Sequence, residues 1–322
     1  MVDTIKKIRK VAVLGSGVMG SQIAAHCVNA GLEVLLLDLK SDDTYPNRMA
    51  DEAIKHISKM KPAPFALPEF AGRIQTGNFD DHMHLIADAD WICEVIVERM
   101  DIKQQMMQRI EANRRPGSIV SSNTSGLPIS DIAAGRSEEF RTHFLGTHFF
   151  NPPRYMKLLE LIPTEATHEG VVRLMKSFLE KTLGKGVVIC KDTPNFIANR
   201  IGIFSIASIM PHFFKGRFRA EEIDLLTGTL TGYSKAATFR TADMAGLDVT
   251  AHVARNLIPN IKDDERQEVF VLPDSFGKMV EAGKIGNKAG AGFYKKSRTE
   301  KGTEYLVLNP DTMDYESQQK LE

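Results

Sequence analysis

The 322-residue chain is poor in cysteine, has no excess of either charge and contains no long uninterrupted hydrophobic run. Its three cysteines are widely spaced and form no Cys-x-x-Cys pair or Cys/His ligand pattern, which excludes a disulfide scaffold and a zinc module. The 41 basic and 41 acidic residues balance, so the composition favours no nucleic-acid partner. The cysteine pattern is typical of a reducing compartment, and we expect a cytoplasmic protein.

The most apolar stretch, residues 196–214, contains Arg200, Pro211 and His212, which favours a core helix over a membrane-spanning segment. The basic amino terminus runs directly into an apolar strand, without the apolar region and cleavage site of a signal peptide. We therefore expect no targeting segment and no membrane insertion. A chain of this length and composition predicts two globular domains.

Short apolar runs alternate with helix-period segments from Val11 to Cys190, which is typical of a parallel sheet covered by helices. After Lys191 the strand pattern stops and long helical segments follow. The sequence predicts an α/β fold, a Rossmann-type doubly wound parallel sheet followed by a smaller all-helical domain. The predicted parts are residues 1–190 for the sheet domain, 191–300 for the helical domain, and 301–322 for the start of a linker or downstream region. The strand candidates are VAVLG, EVLLLD, WICEVIV, SIVSSN, THFLGTHFF, KLLELI and GVVIC.

A glycine motif, GSGVMG, follows the first predicted strand and opens the first predicted helix. Its first glycine permits a tight turn, the second lets a pyrophosphate approach the backbone, and the third lets the helix pack on the strand. An aspartate ends the next predicted strand about 20 residues later, where a carboxylate binds ribose hydroxyls and repels a 2′-phosphate. The pattern predicts NAD, against the alternatives of an ordinary glycine turn and a solvated aspartate. The predicted cofactor-binding residues here are Gly15, Gly17, Val18, Met19, Gly20 and Asp38.

His148 in GTHFFNPP and Glu160 in KLLELI each lie in a predicted strand or at its end. A neutral imidazole held by a carboxylate suits the removal of a hydroxyl proton at neutral pH, which hydride transfer from an alcohol requires. A single strand histidine is also compatible with a hydrogen-bonded core position that has no chemical role. The two residues alone leave both interpretations of His148 open.

Several motifs occur together with GSGVMG: SNTS at 122–125, HFFNPP at 148–153, KLLELI at 157–162, KDTPNFIANR at 191–200 and GNKAGAGFYKK at 286–296. In this order they closely resemble the L-3-hydroxyacyl-CoA dehydrogenase family over most of the chain. The resemblance implies NAD-dependent oxidation of an L-3-hydroxyacyl-CoA to the 3-oxoacyl-CoA in fatty-acid β-oxidation, with an acyl-CoA as the partner.

The resemblance also implies roles for individual residues. His148 matches the general base of the family, and Glu160 matches the glutamate that orients it. Ser125 matches the serine near the substrate oxygen, and Asn199 matches the asparagine that completes this hydrogen-bonding set. The other implied cofactor contacts are Glu98, Lys103, Asn123, Asn151 and Lys288.

The chain departs from the family pattern in several places. The usual G-x-P-x-G-P-F run is replaced by TGYSKAATFRTADMAGLD, and the usual glycine of KDTPGF is Asn195. The region that holds coenzyme A in relatives also departs from the family pattern, and Lys59 and Lys61 are the candidates for substrate binding there. The histidines of DDHMHL, His82 and His84, have no third ligand in view and are typical of a polar surface loop, so we predict no metal.

Two alternatives to this function stay open. An NAD-dependent dehydrogenase of free 3-hydroxy acids shares a similar glycine turn but uses a catalytic lysine, and a non-catalytic NAD-binding module would keep the same motifs. The string VERMDIKQQM resembles family members in which the dehydrogenase precedes an enoyl-CoA hydratase, which suggests a portion of a longer, bifunctional enzyme. We expect a homodimer, or pairing with a second helical domain within a longer chain.

Overall fold

The computed structural model describes residues 7–299 and 302–319, and the chain divides into two compact units, Met1–Phe196 and Ile197–Glu322. The first unit contains a single eight-stranded sheet with helices on its faces. Its strands are β1 (Lys10–Leu14), β2 (Glu33–Asp38), β3 (Ile74–Asn78), β4 (Trp91–Glu94), β5 (Ile119–Ser122), β6 (Phe144–Phe149), β7 (Leu158–Pro163) and β8 (Gly186–Ile189). Its helices are α1 (Val18–Asn29), α2 (Arg48–Ile57), α3 (Met100–Asn113), α4 (Ile129–Ile132), α5 (Glu138–Thr142) and α6 (Glu169–Lys181).

The strand order in this sheet is β3-β2-β1-β4-β5-β6-β7-β8, and every pair is parallel except β6 with β7. Both faces of the sheet are covered, which explains why its strands are continuous apolar runs. In β1, for example, Val11 and Val13 pack into one core and Ala12 and Leu14 into the other. The strand order reverses between β1 and β4, and a crevice outside the carboxyl ends of these strands is where such sheets bind ligands.

Strand β3 has no counterpart among the strand candidates of the sequence. Its sequence, IQTGN, contains one large apolar side chain, so it carries little of the signal by which a buried strand is found. It pairs in parallel with β2 at the edge of the sheet, from Val34 opposite Ile74 to Asp38 opposite Asn78. An edge strand pairs on one side only and needs less apolar surface than a central one.

The second unit consists mainly of helices. These are α7 (Ala198–Phe214), α8 (Ala220–Leu226), α9 (Ala237–Ala245), α10 (Leu247–Leu257) and α11 (Asp274–Glu281). Their core centres on aromatic rings, with Phe239 and Phe293 stacked at 4.0 Å between centroids and Phe213 packed edge-on against both. The periodicity of residues 243–258 predicts one helix, but Gly246 with φ +100° breaks it into α9 and α10.

Residues 301–322 are predicted as the start of a linker or downstream region, but their described part forms strands instead. Strands β9 (Tyr294–Thr299), β10 (Gly302–Leu308) and β11 (Tyr315–Ser317) form a three-stranded antiparallel sheet. Val307 and Leu308 are each 1% exposed and belong to the same core as Phe293, so this segment is part of the second unit. The apolar run in EYLVLNP is typical of a strand, and it forms most of β10.

The predicted domain boundary after residue 190 falls slightly before the observed one, because Cys190 and Phe196 still pack in the core of the first unit. The fold class itself is confirmed: a Rossmann-type sheet followed by a helical domain, to which the small antiparallel sheet is added. No helix in the described ranges combines the length and the apolar character needed to cross a bilayer.

Candidate functional site

The glycine motif forms the turn between β1 and α1. Gly15 adopts φ +106°, and a Cβ there would lie 2.6 Å from the carbonyl oxygen of Val95. A Cβ on Gly17 would meet nothing within 4 Å, so this side of the turn is open. No side chain caps the amino terminus of α1, which leaves its first N–H groups and the positive end of the helix dipole for an anion. The turn fits a pyrophosphate.

Gly20 packs α1 against the turn, and we expect its replacement by alanine to disrupt both the fold and the anion site. The new Cβ would lie 1.9 Å from the carbonyl oxygen of Gly15, which is backbone and cannot move aside as a side chain can. Gly20→Ala should lower the free energy of unfolding by about 1–3 kcal/mol, as overpacking does. Gly17→Ala should leave stability nearly unchanged but weaken dinucleotide binding. Urea titration and NADH fluorescence titration measure the two effects, and equal stability of the variants would contradict this account.

Asp38, at the carboxyl end of β2, links the turn to the neighbouring strand. Its Oδ2 accepts hydrogen bonds from the Ser16 backbone N–H and hydroxyl, each at 2.5 Å, and its Oδ1 accepts from the Leu39 N–H at 2.7 Å. The carboxylate therefore stands fixed beside the glycine turn, in the position where a ribose is held in this type of sheet. Of the other predicted turn residues, Val18 is largely exposed and Met19 is half-buried.

His148 and Glu160 lie directly opposite each other on the antiparallel strands β6 and β7. The Nδ1 of His148 lies 2.7 Å from Oε2 of Glu160, and both side chains are buried, with residue exposures of 4% and 0%. Because a carboxylate only accepts, the neutral imidazole donates its Nδ1–H, which leaves Nε2 as a proton acceptor. The pair has the arrangement of a general base and the group that orients it.

The surroundings of this pair are apolar. The rings of Phe150 and Phe196 lie 4.4 and 5.9 Å from the imidazole, centroid to centroid. Burial and the carboxylate of Glu160 raise the pKa of the Cys190 thiol to about 12, so the thiol stays protonated beside the glutamate.

A buried ion network supports the ends of β4 and β5. Lys103 of α3 is 1% exposed, and its ammonium lies 2.7 Å from Oε1 of Glu94 and 3.3 Å from Oε2 of Glu98. Glu94 is fully buried and also accepts hydrogen bonds from the Ile96 N–H at 2.8 Å and the Ser122 hydroxyl at 2.5 Å. Every charge in the interior part of this network has an opposite partner.

The network reaches Ser125 through Glu98. Oε1 of Glu98 accepts a hydrogen bond from the Thr124 hydroxyl and another from the Ser125 backbone N–H at 2.8 Å. Ser125 is exposed, at the end of the strand adjacent to the one that carries His148. Asn123 joins these strands, because its Oδ1 accepts the Phe149 N–H at 2.9 Å. The predicted residues Glu98, Asn123 and Ser125 therefore share one edge of the sheet with the His148–Glu160 pair.

The loop after β6 carries Asn151 and is tied to other parts of the first unit. Asn151 is exposed and its Oδ1 accepts a hydrogen bond from the Gln22 amide at 3.2 Å. Arg154 donates to the carbonyl oxygens of Ala63 and Phe65, both at 2.6 Å. These bonds join the loop to residues 63–65, which follow the two substrate candidates in the chain. Those candidates, Lys59 and Lys61, are exposed.

The second unit holds two of the predicted residues. Asn199 lies in the first turn of α7. Lys288 lies in a short turn next to Gly286, and its ammonium donates to the carboxylate of Asp248 at 2.7 Å. This hydrogen bond holds the pKa of Asp248 below its usual value. The lysine is thus already paired on one side, and about half of its side chain is exposed.

The described residues contain no group of three or more His, Cys, Asp or Glu side chains that could hold a metal ion. The His82 Nδ1 accepts the Asn78 N–H at 3.2 Å, a local contact within the loop after β3. All three cysteines are free thiols and buried.

Three residues at this edge, Glu94, Gln22 and Arg154, are not predicted from the sequence. Glu94 carries a signal, since it is an acidic residue inside the apolar run WICEVIV, where a charge requires a partner. Gln22 and Arg154 carry none, because a glutamine in a helix and an arginine in a loop are ordinary surface residues. Only the contact with Asn151 and the carbonyls of the 63–65 segment distinguishes them.

Two family models together match most of the chain. Residues 10–193 match the family "3-hydroxyacyl-CoA dehydrogenase, NAD binding domain", and residues 196–296 match "3-hydroxyacyl-CoA dehydrogenase, C-terminal domain". A probable 3-hydroxyacyl-CoA dehydrogenase of Bacillus subtilis is 46% identical over 98% of this chain and 41% of its own length. One of Deinococcus radiodurans is 45% identical over 92% of this chain and 85% of its own length.

A solved structure is also similar. The crystal structure of 3-hydroxybutyryl-CoA dehydrogenase from Escherichia coli K12 superposes with a TM-score of 0.75 at 27% identity. The superposition covers 90% of this chain and 60% of the other. By the coverages of the two sequence relatives, this chain spans less than half the length of the B. subtilis protein and most of the length of the D. radiodurans protein.

Proposed function

This chain belongs to the 3-hydroxyacyl-CoA dehydrogenase family, and from that premise we propose that it oxidises L-3-hydroxyacyl-CoA to 3-oxoacyl-CoA in fatty-acid β-oxidation. The observation that carries the proposal is the buried hydrogen bond between His148 and Glu160 at the same edge of the sheet as the glycine turn. An oriented imidazole beside a dinucleotide site is what alcohol oxidation by hydride transfer needs.

The cofactor is NAD, as the matched NAD-binding domain indicates. The residues present fit it: the turn at Gly17 is open, α1 has a free amino terminus, and Asp38 stands where a 2′-phosphate would be repelled. When bound, NAD would supply the acceptor for the hydride that leaves C3 of the substrate. Side chains of this protein are proposed to move the proton and to position the reactants.

His148 is the proposed general base. Its Nε2 accepts the proton of the substrate hydroxyl, while its Nδ1–H remains bonded to Glu160. The carboxylate then stabilises the imidazolium in surroundings made apolar by Phe150 and Phe196. In the reverse direction the imidazolium returns the proton to the 3-oxo oxygen.

The remaining predicted residues hold the reactants. We assign to Ser125 and Asn199 hydrogen bonds to the substrate oxygen, and to Asn123, Asn151 and Lys288 contacts on the nicotinamide side. Glu98 supports this role of Ser125, because it fixes the serine backbone N–H. Lys103 acts through Glu98, since its ammonium is buried against two carboxylates. Lys59 and Lys61 are proposed for the phosphates of coenzyme A.

The decisive assay follows NADH absorbance after addition of acetoacetyl-CoA. We expect NADH oxidation with acetoacetyl-CoA or longer 3-oxoacyl-CoA thioesters and none with free acetoacetate. Turnover of the free acid at a comparable rate would favour a dehydrogenase of free 3-hydroxy acids. NADH binding without turnover of any thioester would favour a non-catalytic module. Either result contradicts the proposed function.

The proposal also covers the oligomeric state and the cellular compartment of the protein. We propose that the helical unit pairs with a second copy in a homodimer, or with a second helical domain in a longer, multifunctional chain. The 41% coverage of the B. subtilis relative supports the second form. Three buried free thiols support a cytoplasmic setting.

A further inference from the structure

We propose that Gln22 is a positioning residue, which fixes the direction in which the Asn151 amide presents its hydrogen-bond donors to the nicotinamide half of NAD. The inference rests on the proposed function, in which Asn151 contacts that half of the cofactor. Gln22 lies in α1, is 3% exposed, and is not among the residues that the sequence motifs assign to the cofactor.

The orientation of the Gln22 amide follows from a backbone group. The carbonyl oxygen of Val18 only accepts, so the Gln22 atom that lies 2.9 Å from it must be the amide nitrogen. The same nitrogen lies 3.2 Å from the side chain of Asn151. Because this nitrogen only donates, the Asn151 atom that faces it must be Oδ1. The Val18 carbonyl thus sets the orientation of the Gln22 amide, and the Gln22 amide in turn sets the orientation of the Asn151 amide.

The Asn151 NH2 group is consequently turned away from Gln22. Asn151 is exposed, and its Nδ2 has no hydrogen-bond partner among residues 7–299 and 302–319. Two donors therefore face outward at the edge of the sheet where α1 begins, and they match an acceptor oxygen on the ligand. If the Asn151 amide turned by 180°, its NH2 would face the NH2 of Gln22. Gln22 disfavours that orientation, because two donors would then meet.

The main chain around Asn151 is held by other contacts. The buried Lys185 ammonium donates to the carbonyl oxygens of Pro153 and Met156. Burial lowers the pKa of Lys185 to about 8, so the group is still mostly protonated at neutral pH. The loop after Asn151 thus keeps its path without Gln22, and what Gln22 controls is the orientation of one side-chain amide.

The test is a double-mutant cycle between Gln22→Met and Asn151→Ala, read by NADH fluorescence titration. Methionine keeps the length of the side chain and removes its donors. We expect Gln22→Met to raise the Kd for NADH about fivefold, the size of one neutral hydrogen bond, and to leave the Kd for ADP within twofold. In the Asn151→Ala background Gln22→Met should have no further effect, since the group it orients is absent.

Gln104→Met is the matched control, because the Gln104 amide also donates to a backbone carbonyl, that of Asp131 at 2.9 Å. Its Kd for NADH should stay within twofold. ADP-ribose identifies the acceptor on the ligand: weaker ADP-ribose binding to Gln22→Met assigns a ribose hydroxyl, and unchanged binding assigns the carboxamide oxygen.

The inference is overturned if Gln22→Met raises the Kd for NADH less than threefold. It is also overturned if ADP loses as much affinity as NADH, or if the loss persists in the Asn151→Ala background, because each result would indicate a general effect on α1. A wild-type chain that binds no NADH would refute the proposed function instead, so the two failures are distinguishable.

Discussion

Replacing His148 with glutamine is expected to lower kcat for 3-hydroxyacyl-CoA oxidation by about 10²–10⁴-fold, the usual contribution of general acid–base catalysis. Glutamine can still donate a hydrogen bond to Glu160 across the β6–β7 pair, so the strands keep their register. Its amide cannot take a proton at neutral pH. Single-turnover rates and NADH titration measure chemistry and binding separately, and the Kd for NADH should change less than twofold.

His168→Gln is the matched control for this variant. His168 is exposed, and its Nδ1 caps α6 by accepting the Gly170 N–H at 3.1 Å, away from the predicted site residues. We expect its kcat to stay within twofold of the wild type. Activity of His148→Gln within tenfold of the wild type would remove His148 from the role of base.

Glu160→Gln extends the same experiment to the orienting group. The amide would keep one hydrogen bond to His148 but would supply no negative charge to the imidazolium, so kcat should fall well below that of the wild type. A fall caused only by misfolding would appear in the near-UV spectrum and in NADH affinity as well. If kcat falls while the spectrum and the NADH affinity stay unchanged, the loss of activity is due to the missing negative charge at position 160.

The parts of the site that the sequence predicts are those that follow from local spacing. The glycine turn, α1 and Asp38 lie within one βαβ unit, where geometry is set by the chain itself. The pairing of His148 with Glu160 is long-range, yet two adjacent antiparallel strands place them together, and the two candidates already stood out by residue type.

The parts that the sequence does not predict depend on contacts between distant segments or on weak local signals. Gln22 and Asn151 are 129 residues apart in the sequence, and no periodicity encodes their contact. The break at Gly246 is a single positive-φ position inside an apparently continuous helical pattern. In the β9–β11 sheet only β10 has a strand pattern, in EYLVLNP, whereas the sequences of β9 (YKKSRT) and β11 (YES) are polar apart from one tyrosine each.

Replacing Lys103 with methionine is expected to lower the free energy of unfolding of the first unit by about 3–5 kcal/mol, because it leaves the charge of Glu94 buried without a partner. A typical domain has only about 5–15 kcal/mol in total. The chain has a single tryptophan, Trp91, which is fully buried in β4. Its fluorescence in a urea titration therefore reports on the first unit alone.

Arg173→Met is the matched control, since it removes a basic residue from an ion pair of the same length, 2.7 Å to Glu169, on an exposed helix face. That loss should cost less than about 1 kcal/mol, because solvent screens exposed pairs. Equal destabilisation by the two variants would contradict a special role of burial in the Lys103 pair.

The double variant Lys103→Met/Glu94→Gln separates stability from function. Glutamine at position 94 has no charge to compensate and can still accept the Ile96 N–H while donating to the Ser122 hydroxyl, so most of the lost stability should return. Activity should not return with it, because Glu98 has lost the ammonium that holds it against the Ser125 N–H. We expect kcat to remain at least tenfold below the wild type while the urea midpoint recovers. If kcat recovers together with the midpoint, Lys103 stabilises the fold without positioning Ser125.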